Sequence, residues 1–448
     1  MTGEFIKSAS VLALLAAAGI VVGGIVATPK AARAADLGGD CCADLEERIA
    51  ELEATTARKS NKKISLTITG RVNANILYWN DNSGSSDPHD TTKKTGPGSD
   101  VYIGNAVRDQ ESRIIFKGDG KISSDVTAGF QMEIRDDFSV KNPFDGSGVD
   151  SQSDHQHGPT LSARSLYVFI KSKSAGEVRL GNMDAAARPG WVQDLGGGSI
   201  GGFHNDVGMS SNFLLRTANN ALSGSKWGSK LYGDPVDQKD DRILYISPTL
   251  GGFEFRADAG GGDNYSGSLT YTGKFQTVSL ALGGGLQSLT ETDSSKYGSN
   301  LFSDLCYICA GGTETLWGVS GSVSESGSGL FLTGEYGGVD SNVAGTNQWR
   351  DWFVRGGWKK NVNGLGDTTV DANYYSSDSG LTHDTVRFGE AHYIGVGIEQ
   401  AIDAVSSSVY LRYQHNTYSG DKAATGSLAT AIDSQNLDLI VGGMIVKF

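Results

Sequence analysis

The chain of 448 residues lacks several features that mark other protein classes. Beyond residue 34 it has no apolar run of 18 or more residues, which excludes membrane-spanning helices there. It has only 8 prolines and no Gly-X-Y period, so it is not collagen-like. With 38 basic against 51 acidic residues, its net charge of −13 disfavours a nucleic-acid partner, which would require a basic face.

The common catalytic and ligand-binding motifs are also missing. There is no Gly-x-Ser-x-Gly, His-Glu-x-x-His or phosphate-binding loop, and the glycine-rich run 196–202 does not open a helix after a strand. His155 and His157 lie in a polar stretch, where histidines are usually solvated. We therefore expect no enzyme activity, no metal and no cofactor.

The first 34 residues have the layout of a signal peptide. Lys7 precedes an apolar run at 11–26, and residues 32–34 supply the small residues of a cleavage site. The alternative is a membrane anchor, but a run of about 16 apolar residues is shorter than a membrane-spanning helix requires. Residues 1–34 carry three basic and one acidic side chains, so the mature chain would have a net charge of −15.

A polar segment, 35–62, follows and contains one helix signal. Leu45, Ile49 and Leu52 have the spacing of a coiled-coil seam, but two heptads are marginal alone. A short coiled coil and a single amphipathic helix lying on the body are both open interpretations.

From residue 63 onward, apolar and polar residues alternate. Ile64, Ile68 and Val72 lie at even positions, whereas Ser65 and Arg71 lie at odd ones. Alternation over about 15 residues exceeds the usual strand of about 5–6 and is typical of a tilted strand that crosses a membrane. Charged residues on the polar side of many such strands favour a water-filled lumen.

The alternation recurs sixteen times, which predicts an all-β fold. We expect residues 63–448 to form a transmembrane antiparallel β-barrel of about 16 strands, wide enough for an open channel. The strands are expected at 63–79, 111–118, 125–138, 162–172, 176–183, 242–247, 252–259, 266–272, 276–287, 315–325, 329–339, 350–360, 367–377, 391–402, 405–417 and 437–448.

Short turns alternate with long polar connections at 80–110, 139–161, 184–241 and 288–314. The connection 184–241 has about 58 residues, and a loop that long is normally functional or misassigned. A wide lumen has room for it, so we expect it to fold inward as a constriction. The chain ends on an amphipathic segment with Phe448, which predicts the signal read by the outer-membrane assembly machinery.

Four passages carry a resemblance to a known family. They are Gly176-Glu-Val-Arg-Leu-Gly-Asn182, the run 242–253, the run 40–53 followed by 63–70, and the terminal Phe448. In this order they resemble the general bacterial porins, particularly the alphaproteobacterial type, over the whole mature chain. The enteric Pro-Glu-Phe-Gly loop motif is missing, and 194–206 stands in its place.

The resemblance implies a homotrimer of sixteen-stranded barrels in the outer membrane, surrounded by lipid and lipopolysaccharide, with the N-terminal helix in the periplasm. Each barrel would be a passive channel for ions and small hydrophilic solutes. A long internal loop would narrow it, with acidic groups that face a basic cluster.

Opposed charges set ion selectivity in such a pore, and arginine stays charged in any environment. For each arginine, the alternative is an ordinary position in the lumen away from the narrowest point. The negative net charge favours a channel that is selective for cations. The candidate basic residues are Arg71, Arg113, Arg135, Arg164 and Arg179, and the acidic ones are Asp184, Asp194 and Asp206.

The four cysteines suit an exported protein. Cys306 and Cys309 lie in a long polar connection, so we expect a small disulfide there and not a redox or zinc site. Cys41 and Cys42 precede the N-terminal helix and could link subunits of the trimer.

Three alternative functions predict different features. A solute-selective channel of the same build would carry aromatic stripes in its lumen. A structural or adhesive outer-membrane protein, tethered through the N-terminal helix, would conduct nothing. A secreted all-β enzyme is disfavoured by Phe448 and by the lack of catalytic motifs.

Overall fold

The computed structural model describes residues 64–81, 99–104, 110–136, 161–198, 202, 209–210, 213–216, 222–227, 239–261, 264–290, 313–342, 349–379, 390–419 and 435–448. The predicted signal peptide, the N-terminal helix, all four cysteines, His155, His157 and Asp206 lie outside these ranges.

Nineteen strands account for most of the described residues. They are β1 Ser65–Asn80, β2 Ser99–Gly104, β3 Arg113–Lys121, β4 Val126–Asp136, β5 Leu161–Ser172, β6 Gly176–Met183, β7 Leu214–Arg216, β8 Leu222–Lys226, β9 Asp240–Ile246, β10 Phe253–Gly260, β11 Tyr265–Phe275, β12 Val278–Thr290, β13 Thr313–Glu325, β14 Leu330–Ser341, β15 Trp349–Asn361, β16 Asp367–Ser379, β17 Glu390–Ile402, β18 Ser407–Ser419 and β19 Leu437–Lys447.

All of these strands except the hairpin β7–β8 belong to one antiparallel sheet that closes on itself. β2 and β3 pair with successive parts of β1, so these seventeen strands fill sixteen positions in the wall. β1 also pairs with β19, from Arg71 opposite Lys447 to Asn80 opposite Asp438. The predicted antiparallel barrel of about 16 strands is confirmed, and the predicted strands coincide with β1, β3–β6 and β9–β19.

The strand β2 lies within 80–110, which the sequence analysis assigned to a long connection. Six residues give too short an alternation to stand out from a polar stretch. The strand forms because it can pair with the upper part of β1, from Asn75 opposite Gly104 to Asn80 opposite Ser99.

The alternation in sequence corresponds to the two faces of the wall. In β1, Ile68 and Val72 are 51% and 55% exposed on the outside, whereas Asn73 and Asn75 are 4% and 3% exposed on the inside. Since successive residues of a strand point to opposite faces, the polar set lines the lumen. Within the described ranges, no helix is long and apolar enough to cross a bilayer.

Turns of a few residues connect the strands at one end of the barrel, which we call the short-turn end. They lie at 122–125, 173–175, 247–252, 276–277, 326–329, 362–366 and 403–406. Most of the longer connections lie at the other end, the long-loop end. The connection between β6 and β9 is the one predicted at 184–241, and it contains a 3-10 turn at Arg188–Gly190 and the hairpin β7–β8.

Candidate functional site

Arginines lie side by side on the lumen face of four neighbouring strands. Arg71 of β1 is directly opposite Arg113 of β3, which is directly opposite Arg135 of β4, and Arg164 follows on β5. We call these four residues the arginine cluster. Like charges in opposite positions destabilise a sheet, so this arrangement requires counter-charges between them.

Two glutamates supply these counter-charges. Glu133 accepts hydrogen bonds from Arg113 at 2.8 Å and from Arg164 at 3.3 Å. Glu111 accepts from Arg113 and from Arg135, each at 3.3 Å. Both glutamate side chains are 8% exposed and those of Arg113 and Arg164 are 13% and 10% exposed, whereas Arg135 is 34% exposed. The carboxylates therefore lie among the guanidinium groups, and Arg135 presents positive charge to the lumen.

Glu111 reaches the cluster because the wall is interrupted between β2 and β3. The side-chain amide of Asn73 donates to the carbonyl of Gln110 at 3.0 Å, and its backbone N–H donates to Ser112 Oγ at 3.1 Å. These bonds hold the segment 110–112 against β1. The backbone carbonyl of Glu111 also accepts a hydrogen bond from Arg71 Nε at 3.2 Å.

A β-bulge places Arg164. Glu133 pairs with Ser165, but the next residue, Ile134, pairs with Ala163, so Arg164 is one extra residue on β5. A bulge re-aims the side chain of the extra residue. Here it directs Arg164 towards Glu133, although Ser165 already occupies the lumen position.

Arg179, the fifth predicted arginine, lies apart from the cluster. It donates to Glu177 of the same strand at 2.6 Å and stacks over the ring of Tyr167, with 4.9 Å between the guanidinium carbon and the ring centroid. It follows the turn 173–175 closely and so lies near the short-turn end.

The first part of the long connection, segment 184–198, lies against the lumen face. Its anchors are hydrogen bonds to six successive strands, β10 to β15. Ala186 N–H donates to Asp258 at 2.5 Å, and Ala187 N–H donates to Ser266 at 3.2 Å. The indole N–H of Trp191 donates to the carbonyl of Gly285 at 3.1 Å.

The same segment continues across the next two strands, β13 and β14. Ser320 donates to the carbonyl of Gly190 at 2.9 Å, and Leu195 N–H donates to Ser322 Oγ at 2.9 Å. Thr333 donates to Asp194 at 3.0 Å. β13 and β14 are the tenth and eleventh of the sixteen wall positions, so segment 184–198 lies across the lumen from β3 and β4, the second and third.

Asp184 begins this segment between two cations. It pairs with Arg188 at 3.4 Å and with Lys239, which lies at the far end of the connection. Burial alone would raise the pKa of Asp184, but the attraction of Arg188 and Lys239, with a smaller contribution from Arg164, holds it well below its usual range. The carboxylate is therefore ionised at neutral pH and lies within the electrostatic reach of the arginine cluster.

Asp194 pairs with an arginine that was not among the candidates. Arg355 of β15 donates to Asp194 at 2.6 Å and to Asp371 of β16 at 3.1 Å, and Arg412 of β18 donates to Asp371 at 2.9 Å. The side chains of Arg355 and Arg412 are 0% and 2% exposed. These four residues form a buried chain of alternating charge that attaches the segment to the wall.

A later part of the connection fills another region of the lumen with apolar side chains. Phe213 packs edge-on against Trp79 of β1, with ring centroids 5.9 Å apart. Met209, Leu215 and Trp227 belong to the same cluster. The wall residues in this cluster are Leu77, Trp79, Phe353, Tyr375, Ala391, Tyr393, Tyr410, Tyr418, Leu437, Leu439, Val441 and Ile445.

Sequence reasoning missed Glu111, Glu133, Arg355, Asp371 and Arg412. All but Glu111 lie on the polar side of an alternating strand, and that signal was available. The predicted pore charges comprised only arginines of the first five strands and acids of the connection. Glu111 precedes its strand, so periodicity could not have assigned it to the lumen.

Phe448 extends the closure of the barrel at the short-turn end. Its N–H donates to the carbonyl of Gly70 at 3.0 Å, and its carbonyl accepts from Gly70 N–H at 2.8 Å. In the described part of the chain, no group of three or more histidine, cysteine, aspartate or glutamate side chains is arranged to hold a metal ion.

Residues 16–421 match a family described as Gram-negative porin. OmpT, an outer membrane protein of Vibrio cholerae, superposes with a TM-score of 0.52 at 12% identity, covering 88% of this chain and all of its own. An anion-selective porin from Comamonas acidovorans superposes with a TM-score of 0.52 at 15% identity and covers 86% of this chain and 100% of its own. A trimer form of the Vibrio cholerae OmpT superposes with a TM-score of 0.50 at 13% identity and covers 86% of this chain and 100% of its own. No curated protein sequence matches the chain.

Proposed function

The chain belongs to the Gram-negative porin family, and from this premise we propose that its lumen is narrowed between segment 184–198 and the arginine cluster. The protein is an outer-membrane β-barrel channel through which small hydrophilic solutes and ions diffuse passively. Family and fold indicate a channel rather than an enzyme. The predicted family, channel function and location are confirmed.

The path of segment 184–198 carries the proposal. Its hydrogen bonds to the lumen face of β10–β15 support a layer of backbone inside the barrel, across the lumen from the arginine cluster. Because both sides are held by buried ion pairs, the gap between them is preorganised. The charges of the arginine cluster then act at close quarters on each ion that passes.

Both acids of the segment are paired in this proposal. Asp194 is neutralised by Arg355 and acts as an anchor. Asp184 lies between Arg188 and Lys239 and within electrostatic reach of Arg164, so its charge is offset by these cations and it anchors the start of the segment. The cation preference expected from the net charge stays a prediction, which the reversal potential in a salt gradient checks.

Removing the segment tests the constriction. Met183 and Asp240 pair directly across β6 and β9, so a short Gly/Ser linker can replace residues 186–237 without moving the wall. We expect this loop-shortened variant to give larger single-channel steps than the parent in planar bilayers. Equal steps from a folded variant would contradict the constriction, and no conductance from the folded parent would contradict an open channel.

The homotrimer is also a proposal for this chain. The trimer form reported for OmpT of Vibrio cholerae, which has the same fold, supports it. We expect the detergent-solubilised protein to have the mass of three chains in native mass spectrometry and to conduct in steps of three.

We propose that lipid and lipopolysaccharide surround the apolar outer face, and that the assembly machinery recognises the last strand through Phe448.

The cysteine pairings complete the proposal. Non-reducing electrophoresis of the heated protein tests whether Cys41 and Cys42 link subunits, since only monomers would remain if they do not. Peptide mapping under the same conditions tests the disulfide between Cys306 and Cys309.

A further inference from the structure

The strand β12 contains three consecutive glycines, Gly283, Gly284 and Gly285, in its interior. Glycine weakens a strand because it loses more backbone freedom than other residues and has no side chain to pack. Such a run usually marks a close approach of another backbone. The approach takes place on one face only, as the surroundings of the three residues show.

Gly283 and Gly285 face segment 184–198. A Cβ atom on Gly283 would lie 2.7 Å from the carbonyl oxygen of Gly190, and one on Gly285 would collide with the carbonyl oxygen of Ala187. Both obstacles are backbone atoms that hydrogen bonds hold in place, since the carbonyl of Gly190 accepts from Ser320 and the carbonyl of Ala187 accepts from Gly190 N–H at 3.0 Å. Gly284 faces outward, where a Cβ would meet only a methyl group of Val319 at 3.7 Å.

The neighbouring strand continues this surface with Gly318 of β13. A Cβ there would lie 2.5 Å from the indole nitrogen of Trp191, which is 5% exposed and donates its N–H to Gly285. The indole ring therefore packs against both β12 and β13. Gly283, Gly285 and Gly318 form one surface of the wall without side chains, which we call the glycine seat.

We propose that the glycine seat sets the width of the pore by fixing how far segment 184–198 projects into the lumen. The inference rests on the proposed constriction. With side chains in the seat, the backbone at 187–191 must move away from the wall. Because the surroundings are close-packed, it can move only towards the lumen. The three glycines are positioning residues, since the solute contacts the segment and not the seat.

Alanine substitutions test the seat. The measurement is single-channel conductance in about 1 M KCl, where a screening length of about 3 Å makes current report width more than charge. We expect Gly285→Ala to lower the conductance by about one third or more, because the limiting cross-section shrinks. The matched control is Gly284→Ala on the same strand, which keeps the parental conductance. Parental or higher conductance of Gly285→Ala would overturn the proposal.

A second pair of variants covers the case in which Gly285→Ala does not fold, judged by heat-modifiable mobility on electrophoresis. Gly318→Ala is expected to lower the conductance in the parent but to change nothing in a Trp191→Ala background, where the colliding ring is gone. Equal effects in both backgrounds would overturn the seat. Failure of any constriction by the connection is recognised separately, because the loop-shortened variant, which also lacks the apolar part around Phe213, would then conduct like the parent.

Discussion

Arg355 donates to Asp194 at 2.6 Å and so joins a wall strand to a loop residue 161 positions earlier in the chain. The guanidinium is fully buried and also donates to the carbonyl of Gly197 at 2.9 Å. One arginine thereby holds both the carboxylate and the backbone of segment 184–198. The position of the proposed constriction depends on this contact.

Asp194→Asn should loosen the segment. The substitution keeps an acceptor for Thr333 but removes the charge that Arg355 contacts, which should cost about 1.5–3 kcal/mol of folding free energy. We expect a lower unfolding midpoint in urea and more noise in the open-channel current. The control is Asp367→Asn, whose half-exposed carboxylate lies 3.9 Å from Lys359 and should contribute less than about 1 kcal/mol. Equal effects of the two variants would contradict the anchoring role.

The arginine cluster should control the sign of selectivity. Glu133→Gln should shift the reversal potential in a salt gradient towards anions, and Arg135→Gln should shift it towards cations. Each change in permeability ratio should be roughly two- to fivefold, since a unit charge a few Å away in water contributes about 0.5–1 kcal/mol. Lys173→Gln, in an exposed turn, serves as the control. Shifts of the same sign from the two variants would refute the prediction.

Asp184 should give a pH-dependent contribution to stability. Because Arg188 and Lys239 outweigh the effect of burial, the pKa of Asp184 is lower in the folded than in the unfolded chain. Its stabilisation is therefore present above the ordinary aspartate pKa of about 3.9 and is lost as the pH falls through the folded value. Urea midpoints of the parent and of Asp184→Asn should differ at pH 7 and converge in acid. A difference that grows in acid would have the wrong sign.

The ion pair between Arg242 and Asp258 should be needed for folding. The two side chains are 2.9 Å apart and 0% exposed, and Asp258 also accepts from Ala186 and Ser266. Asp258→Ala leaves a buried charge without its partner and should cost about 3–5 kcal/mol. Glu254→Ala is the matched control on the same strand and face, because its pair with Arg256 is partly exposed. A heat-modifiability assay over a temperature series would compare them, and similar losses in both would count against the buried pair.

The sequence predicted some strands and pore residues and not others. The long alternation around Ile68 and Val72 predicted both the strand and its outward face, because period two is a local property of extended backbone. The short β2 escaped detection, since its pairing with β1 is what stabilises it. The alternation also predicted five arginines on the polar faces of the first five strands, and the structure brings four of them together but leaves Arg179 apart.

The partners of these residues were beyond the reach of the sequence. Arg164 faces Glu133 through a bulge, and Glu111 enters the cluster through a break in the wall. Neither irregularity leaves a period in the sequence. The glycine run at 283–285 was visible as composition, but its meaning required knowing which backbone lies against it.

The sequence by itself determined that this chain forms a barrel of about 16 strands and which face of each strand is polar. It also showed that one connection is long enough to fold into the lumen. Alternation is local, and a reader of the sequence can count it. Only the tertiary structure decided where that connection lies and which charges it meets. Contacts such as that between Asp194 and Arg355 arise when the sheet closes, because closure creates the lumen in which the connection meets strands that are distant in sequence.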